Sequence, residues 1–250
     1  MMVLRTTYHD ELNRLNREVV EMGALAQEMV SKGIEAFLRG DEAIREELAS
    51  MDREIYRQEQ EIDRHCFEII ALHQPVASDL RKVSSCLKVV TDLNRIGRYG
   101  RNIAEMGEGA ADRSVTRRFP LQTMAQQVLS MVEAATSAFV NRDTKAAMAI
   151  IERDDEIDKL WESIFRGTIT CMIEQPQNIS DGAYTILAAR YLERIADHAC
   201  NIGERVVFMV SGTRVDHYEF KRVPRMDHRE GPTQPEPSTD GYYVTRLDEK

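Results

Sequence analysis

The chain has 250 residues, 42% of them hydrophobic and 30% charged, with a formal net charge of -9 and a pI near 5.3. That is enough chain for one large domain or two small ones. The acidic balance argues against a general nucleic-acid binder, which needs a basic surface, and no apolar run of about 18 residues is available to span a membrane.

Taken in chain order, the start MMVLRTTYHDELNRL lacks the apolar centre of a secretion signal, which points to a cytoplasmic protein. Helical periodicity then predicts six helices, at 6–39, 42–73, 76–107, 118–141, 144–174 and 179–211. In the second of these Ile44, Leu48, Met51, Ile55, Ile62, Cys66 and Ile69 recur within a narrow arc. In the fifth, Ile150, Ile157, Trp161, Ile164 and Cys171 do the same. Pro75 and Pro176 fall between these segments and Pro120 in the first turn of the fourth, so none interrupts a helix interior. Cys66, Cys86, Cys171 and Cys200 are scattered with no C-x-x-C pair, so neither a disulfide framework nor a thiolate zinc site is expected.

The six helices form two sets of three. Ala36, Phe37 and Asp41 correspond to Ala138, Phe139 and Asp143, and Asp52, Glu54 and Ile55 to Asp154, Glu156 and Ile157, at a constant spacing. Gln74-Pro75 corresponds to Gln175-Pro176, and DLNRIGRYGRNIAEM (92–106) to YLERIADHACNIGER (191–205). An ordered series of this kind is the mark of an internal repeat. The expected architecture is all-α: tandem, duplicated three-helix bundles over 6–110 and 117–212. The remainder, 213–250, includes GPTQPEPSTDGYY and reads as a flexible Pro/Gly-containing tail, or else as a docking segment using Tyr242, Tyr243 and Val244.

One feature in the last helix is chemical. In YLERIADHACNIGERV (191–206), Leu192, Ile195, Ala196, Ala199, Ile202 and Val206 share an arc of roughly 120°. Glu193, Asp197, Asn201 and Glu204 fill another arc of about 80°. Stacked acids repel by a few tenths of a kcal/mol, and a hard or borderline cation would remove that repulsion. On spacing alone a solvated face is the simpler reading, with Arg194 one i, i+3 step from Asp197. His198 projects about 100° from Asp197 and reads as a boundary residue. None of the six histidines follows a Glu by three residues, which disfavours a di-iron bundle site. No phosphate-cradling glycine loop and no nucleophile elbow occurs, so the chain does not read as an enzyme.

HQPVASDLRKV (73–83), DLNRIGRYGRNIAE (92–105) and YLERIADHACNIGERV resemble the signature segments of the PhoU family of phosphate-uptake regulators, over about residues 8 to 212. The resemblance implies a negative regulator of phosphate uptake and of the phosphate-starvation response. It would be an adaptor between a phosphate ABC transporter and a sensor histidine kinase, reaching the membrane only through partners. It further implies iron or zinc bound through E(D)-x-x-x-D motifs, with magnesium or manganese as other candidates. A metal-dependent or metal-storage bundle unrelated to phosphate is the alternative, and a homodimer is plausible for such long helices. The motif is intact as Glu193-x-x-x-Asp197, followed by Asn201 and Glu204. The first-repeat counterparts are Asn94, Arg98, Asn102 and Glu105, where an amide and a guanidinium replace the acids. A permanent cation is a poor metal neighbour, so a metal is expected in the second repeat only, with Asp154, Glu156 and Asp158 as further candidate ligands. Arg95, Arg98 and Arg101 are expected either to meet an acidic partner or, for Arg98, to pair with local carboxylates.

Overall fold

The computed structural model describes residues 2–109 and 113–215, with side chains from residue 8 onward. It contains six long helices and, among the described residues, no strand: α1 (Met2–Arg39), α2 (Glu42–His73), α3 (Ala77–Met106), α4 (Leu121–Asn141), α5 (Thr144–Glu174) and α6 (Ile179–Ser211). The all-α reading of two duplicated three-helix sets holds. The tail reading from residue 216 on lies outside the described residues, Tyr242, Tyr243 and Val244 included.

Local chemistry sets most helix ends. Asp41 and Asp143, one of the repeated pairs, are the N-caps of α2 and α5. Asp41 accepts from the Ile44 N–H, and Asp143 from the Lys145 and Ala146 N–H groups. Such caps are worth roughly 1 kcal/mol each. The residue before each cap region is left-handed in both repeats: Gly40 at φ 71 and Arg142 at φ 56. Glycine takes that conformation freely, whereas arginine does so at a cost. The start of α4 departs from expectation for a local reason. Thr116–Arg118 form a 3-10 turn, Phe119 is extended at φ -112 and ψ 153, and the helix begins only at Leu121. The cause is Pro120, whose ring disfavours helical backbone in the residue before it.

Each set of three closes on a shared apolar core. Phe37 and Phe139, the repeated pair, are both almost wholly buried. Each contributes about 2–3 kcal/mol by removing its ring from water. The two sets join through α1 against α4 and α3 against α6, leaving α2 and α5 on the outside. The α3 and α6 helices run antiparallel, since Arg81 near the start of α3 donates to the Met209 carbonyl near the end of α6. The connection between repeats is also pinned. Arg113 donates to the carbonyls of Phe37 and Gly107, and Thr116 shares a buried hydrogen bond with Thr185 of α6.

Candidate functional site: two unlike seams

The row on α6 lies along the seam with α5. Cys200 Sγ reaches the Ile150 carbonyl at 3.8 Å, and Gly203 sits against Ala147. That antiparallel register puts Asp154 level with Asp197, and Asp158 level with Glu193. Glu193 is 8% exposed and Asp154 1%. Asp197, Asn201, Glu204 and Asp158 are half-buried, while Glu156 points to solvent. The row is therefore not a fully solvated face.

Burying carboxylates on two facing helices is unfavourable unless cations or donors compensate. Arg190 is such a group. Arg190 Nη1 lies 2.5 Å from Glu193 Oε1, and the same guanidinium sits 5.5 Å from the Trp161 ring centre. Trp161 in turn stacks on Phe165, with ring centres 5.1 Å apart. This ladder of Phe165, Trp161, Arg190 and Glu193 closes one end of the seam. Its oxygen donors suit a hard or borderline cation. Yet among the described residues no three His, Cys, Asp or Glu side chains are grouped so as to hold one.

The first repeat uses the matching positions differently. Asp52, counterpart of Asp154, is gripped by Arg101 Nη1 at 2.7 Å and approached by Arg98 Nε at 3.7 Å. Arg101 also reaches Glu105 at 2.9 Å. Where the second repeat has Glu193 beside Trp161, the first has Asn94 donating to buried Glu59. Acid and neutral partner have exchanged helices. The α2–α3 seam thus carries its positive charge covalently, in arginine side chains. Arg98 does pair with a local carboxylate, loosely, with most of its side chain still in solvent. Arg101 is turned inward to the seam, and Arg95 is exposed.

A third feature joins the two repeats. His198 Nδ1 lies 2.8 Å from Asp92 Oδ1, both residues being buried, so His198 serves the α3–α6 contact and not the acid row. Under the repeat correspondence Asp92 matches Tyr191 and Tyr99 matches His198. The pseudo-twofold partner of the Asp92–His198 pair is therefore Tyr191 against Tyr99, whose rings are 5.5 Å apart. One end of the crossing is a hydrogen-bonded Asp–His pair, the other aromatic. Sequence reasoning placed His198 at a boundary but missed Asp92, Glu59 and Arg190. Only the i, i+3 spacing of Arg190 and Glu193 was a local signal for any of them.

Comparison with known proteins is consistent with this geometry. A family model described as the PhoU domain matches twice, at residues 19–107 and 121–206. A phosphate-specific transport system accessory protein PhoU homolog of Rhizobium meliloti is 32% identical over 213 residues, covering 84% of this chain and 90% of that one. One from Pseudomonas putida is 34% identical over 221 residues, covering 86% and 85%. The crystal structure of PhoU from Pseudomonas aeruginosa superposes with a TM-score of 0.77 at 33% identity, over 82% of this chain and all of that one. That of the phosphate transport system regulatory protein PhoU from Streptococcus pneumoniae gives 0.78 at 29%, over 84% and 99%.

Proposed function

The chain belongs to the PhoU family, and from that premise we propose that it is an accessory regulator of phosphate transport. In this reading it acts as a negative regulator of uptake and of the starvation response, bridging the phosphate ABC transporter and a sensor histidine kinase. The supporting observation is the likeness, over more than four-fifths of the chain, to proteins named as accessories of a phosphate-specific transport system. Among the described residues no helix is long and apolar enough to cross a membrane, so contact with a transporter would be made by its helical faces.

Cation binding belongs to the same reading, in the second repeat. Glu193 and Asp197 would be its principal ligands, with Asn201 and Glu204 along the row and Asp154 across the seam. A bound cation would supply positive charge to carboxylates that the fold draws out of water. The first repeat already holds that charge as Arg98 and Arg101 on Asp52. Asn94, Arg98, Asn102 and Glu105 are in this account a seam that does without a metal.

Two experiments test the two parts separately. Radiolabelled phosphate uptake and a starvation-promoter reporter are compared in cells with and without the gene. Derepression on deletion is expected, and an unchanged response to phosphate sinks the regulatory reading. Elemental analysis of the purified protein is compared for Glu193→Gln/Asp197→Asn and for Asn94→Ala/Glu105→Ala. Loss of iron or zinc in the first variant alone is expected; equal loss in both overturns the asymmetry.

A further inference from the structure

Charge is distributed unevenly over this acidic molecule. Helix α3 carries six Lys and Arg against three Asp and Glu, in a chain whose net charge is -9. Lys88, Arg95, Arg98 and Tyr99 fall within about 100° of one another on that helix. The three cationic members are all exposed. Across the α3–α6 crossing stands Arg194, exposed, with Nη1 3.5 Å from the Tyr99 hydroxyl. Arg95 and Arg194 occupy the same position in the two repeats, and the Tyr99 and Tyr191 rings meet between their helices with centres 5.5 Å apart, tilted by 33°. Asp197, the acid of this face, lies toward the α5 side, as Arg98 leans toward α2.

We propose that this strip at the α3–α6 crossing, centred on Arg95, Arg194 and the Tyr99–Tyr191 pair, is a docking surface for a carboxylate-rich helical segment of a partner protein. The first argument is charge complementarity: a cationic strip on an anionic protein attracts acidic surfaces. The second is extent. From Lys88 to Arg98 the strip runs about 15 Å, the length of three helical turns of a partner. A nucleic acid is the less favoured occupant, because a chain of net charge -9 repels its phosphates beyond so short a strip. Tyr99 and Tyr191 supply an apolar floor with polar rims, the composition that favours protein recognition. Arg101 is not part of the surface, being committed to Asp52 and Glu105. Arg98, loosely paired with Asp52, is the one member of the strip that also enters the cation reading; Lys88, Arg95 and Arg194 do not.

The test is direct binding to the purified full chain, read by fluorescence anisotropy, so its outcome is independent of any phosphate phenotype. The probe is a short labelled helical peptide rich in Glu, compared with its Gln-substituted counterpart and with single-stranded DNA of equal charge. Binding of the Glu peptide is expected at about 0.05 M salt, weakening at least fivefold at about 0.3 M. Arg95→Ala/Arg194→Ala should weaken it about tenfold, with helix content unchanged by circular dichroism. Arg14→Ala/Arg64→Ala, on the far side of the first repeat, should leave it alone. Equal binding by the Arg95/Arg194 variant, equal binding of the Gln peptide, or tighter binding of DNA each overturns the proposal.

Discussion

Replacing Gly100 by alanine should destabilise the fold even though alanine is the better helix former. A Cβ at Gly100 would lie 2.6 Å from the Met29 carbonyl oxygen and 2.7 Å from the Val30 Cα, both backbone atoms of α1. Ordinary contact begins near 3.4 Å, so α1 and α3 would have to part by about 0.8 Å where they cross. A gap of that size forfeits a quarter to a half of the dispersion attraction of the atoms involved, and overpacking of this kind costs about 1–3 kcal/mol. Because the obstacle is backbone and not a flexible side chain, the upper end applies. The gain in helix propensity returns about 1 kcal/mol. The expected net loss is about 2 kcal/mol, or roughly 4–8 °C in Tm for a chain of this size. Urea titration followed by circular dichroism at 222 nm would measure it. Gly203→Ala is the control, since a Cβ there meets nothing closer than 3.1 Å and the two effects should roughly cancel. The second repeat has Ala199 at the position of Gly100, already buried, and Ala199→Gly should cost about 1 kcal/mol through propensity. A Gly100→Ala protein as stable as the parent would refute the argument that the first repeat is the more closely crossed of the two.

Other outcomes follow from the polar pairs. Asp92→Ala and His198→Ala should each cost about 1–3 kcal/mol by leaving a buried partner without its hydrogen bond; a double-mutant cycle should show coupling of about 1–3 kcal/mol, and strict additivity would remove this pair from the α3–α6 contact. Burial and the neighbouring Asp79 carboxylate push the Tyr8 phenol up from 10.0 to about 12. The folded chain then holds that proton more tightly than the unfolded one. Its stabilisation should be complete below pH 10 and lost as the pH rises toward 12, with Tyr8→Phe flattening that part of the stability–pH curve. Arg101→Ala should loosen the α2–α3 seam by about 1 kcal/mol through Asp52, and Arg101→Lys should restore little of it, because one guanidinium spans both Asp52 and Glu105. Thermal melts of the two variants would separate these cases.

The helices were legible in the sequence because helical period, prolines and caps are local. Apolar residues three and four apart share a face whatever they later touch, and Asp41 and Asp143 act on N–H groups within three residues of themselves. The duplication was legible for the same reason, as a repeat of local patterns, and with it the near-copy of Glu193 and Asp197 in which the acids are replaced. Where a local rule was misjudged, at Pro120, the predicted helix began three residues early. Tertiary structure alone decided what the polar residues meet. Asp92 and His198 are 106 residues apart, and Arg101 finds Asp52 across 49. No spacing announces such pairs, since they depend on the crossing and register of whole helices. That register, set by apolar packing, turned one seam into an arginine-filled pair and left carboxylates buried along the other.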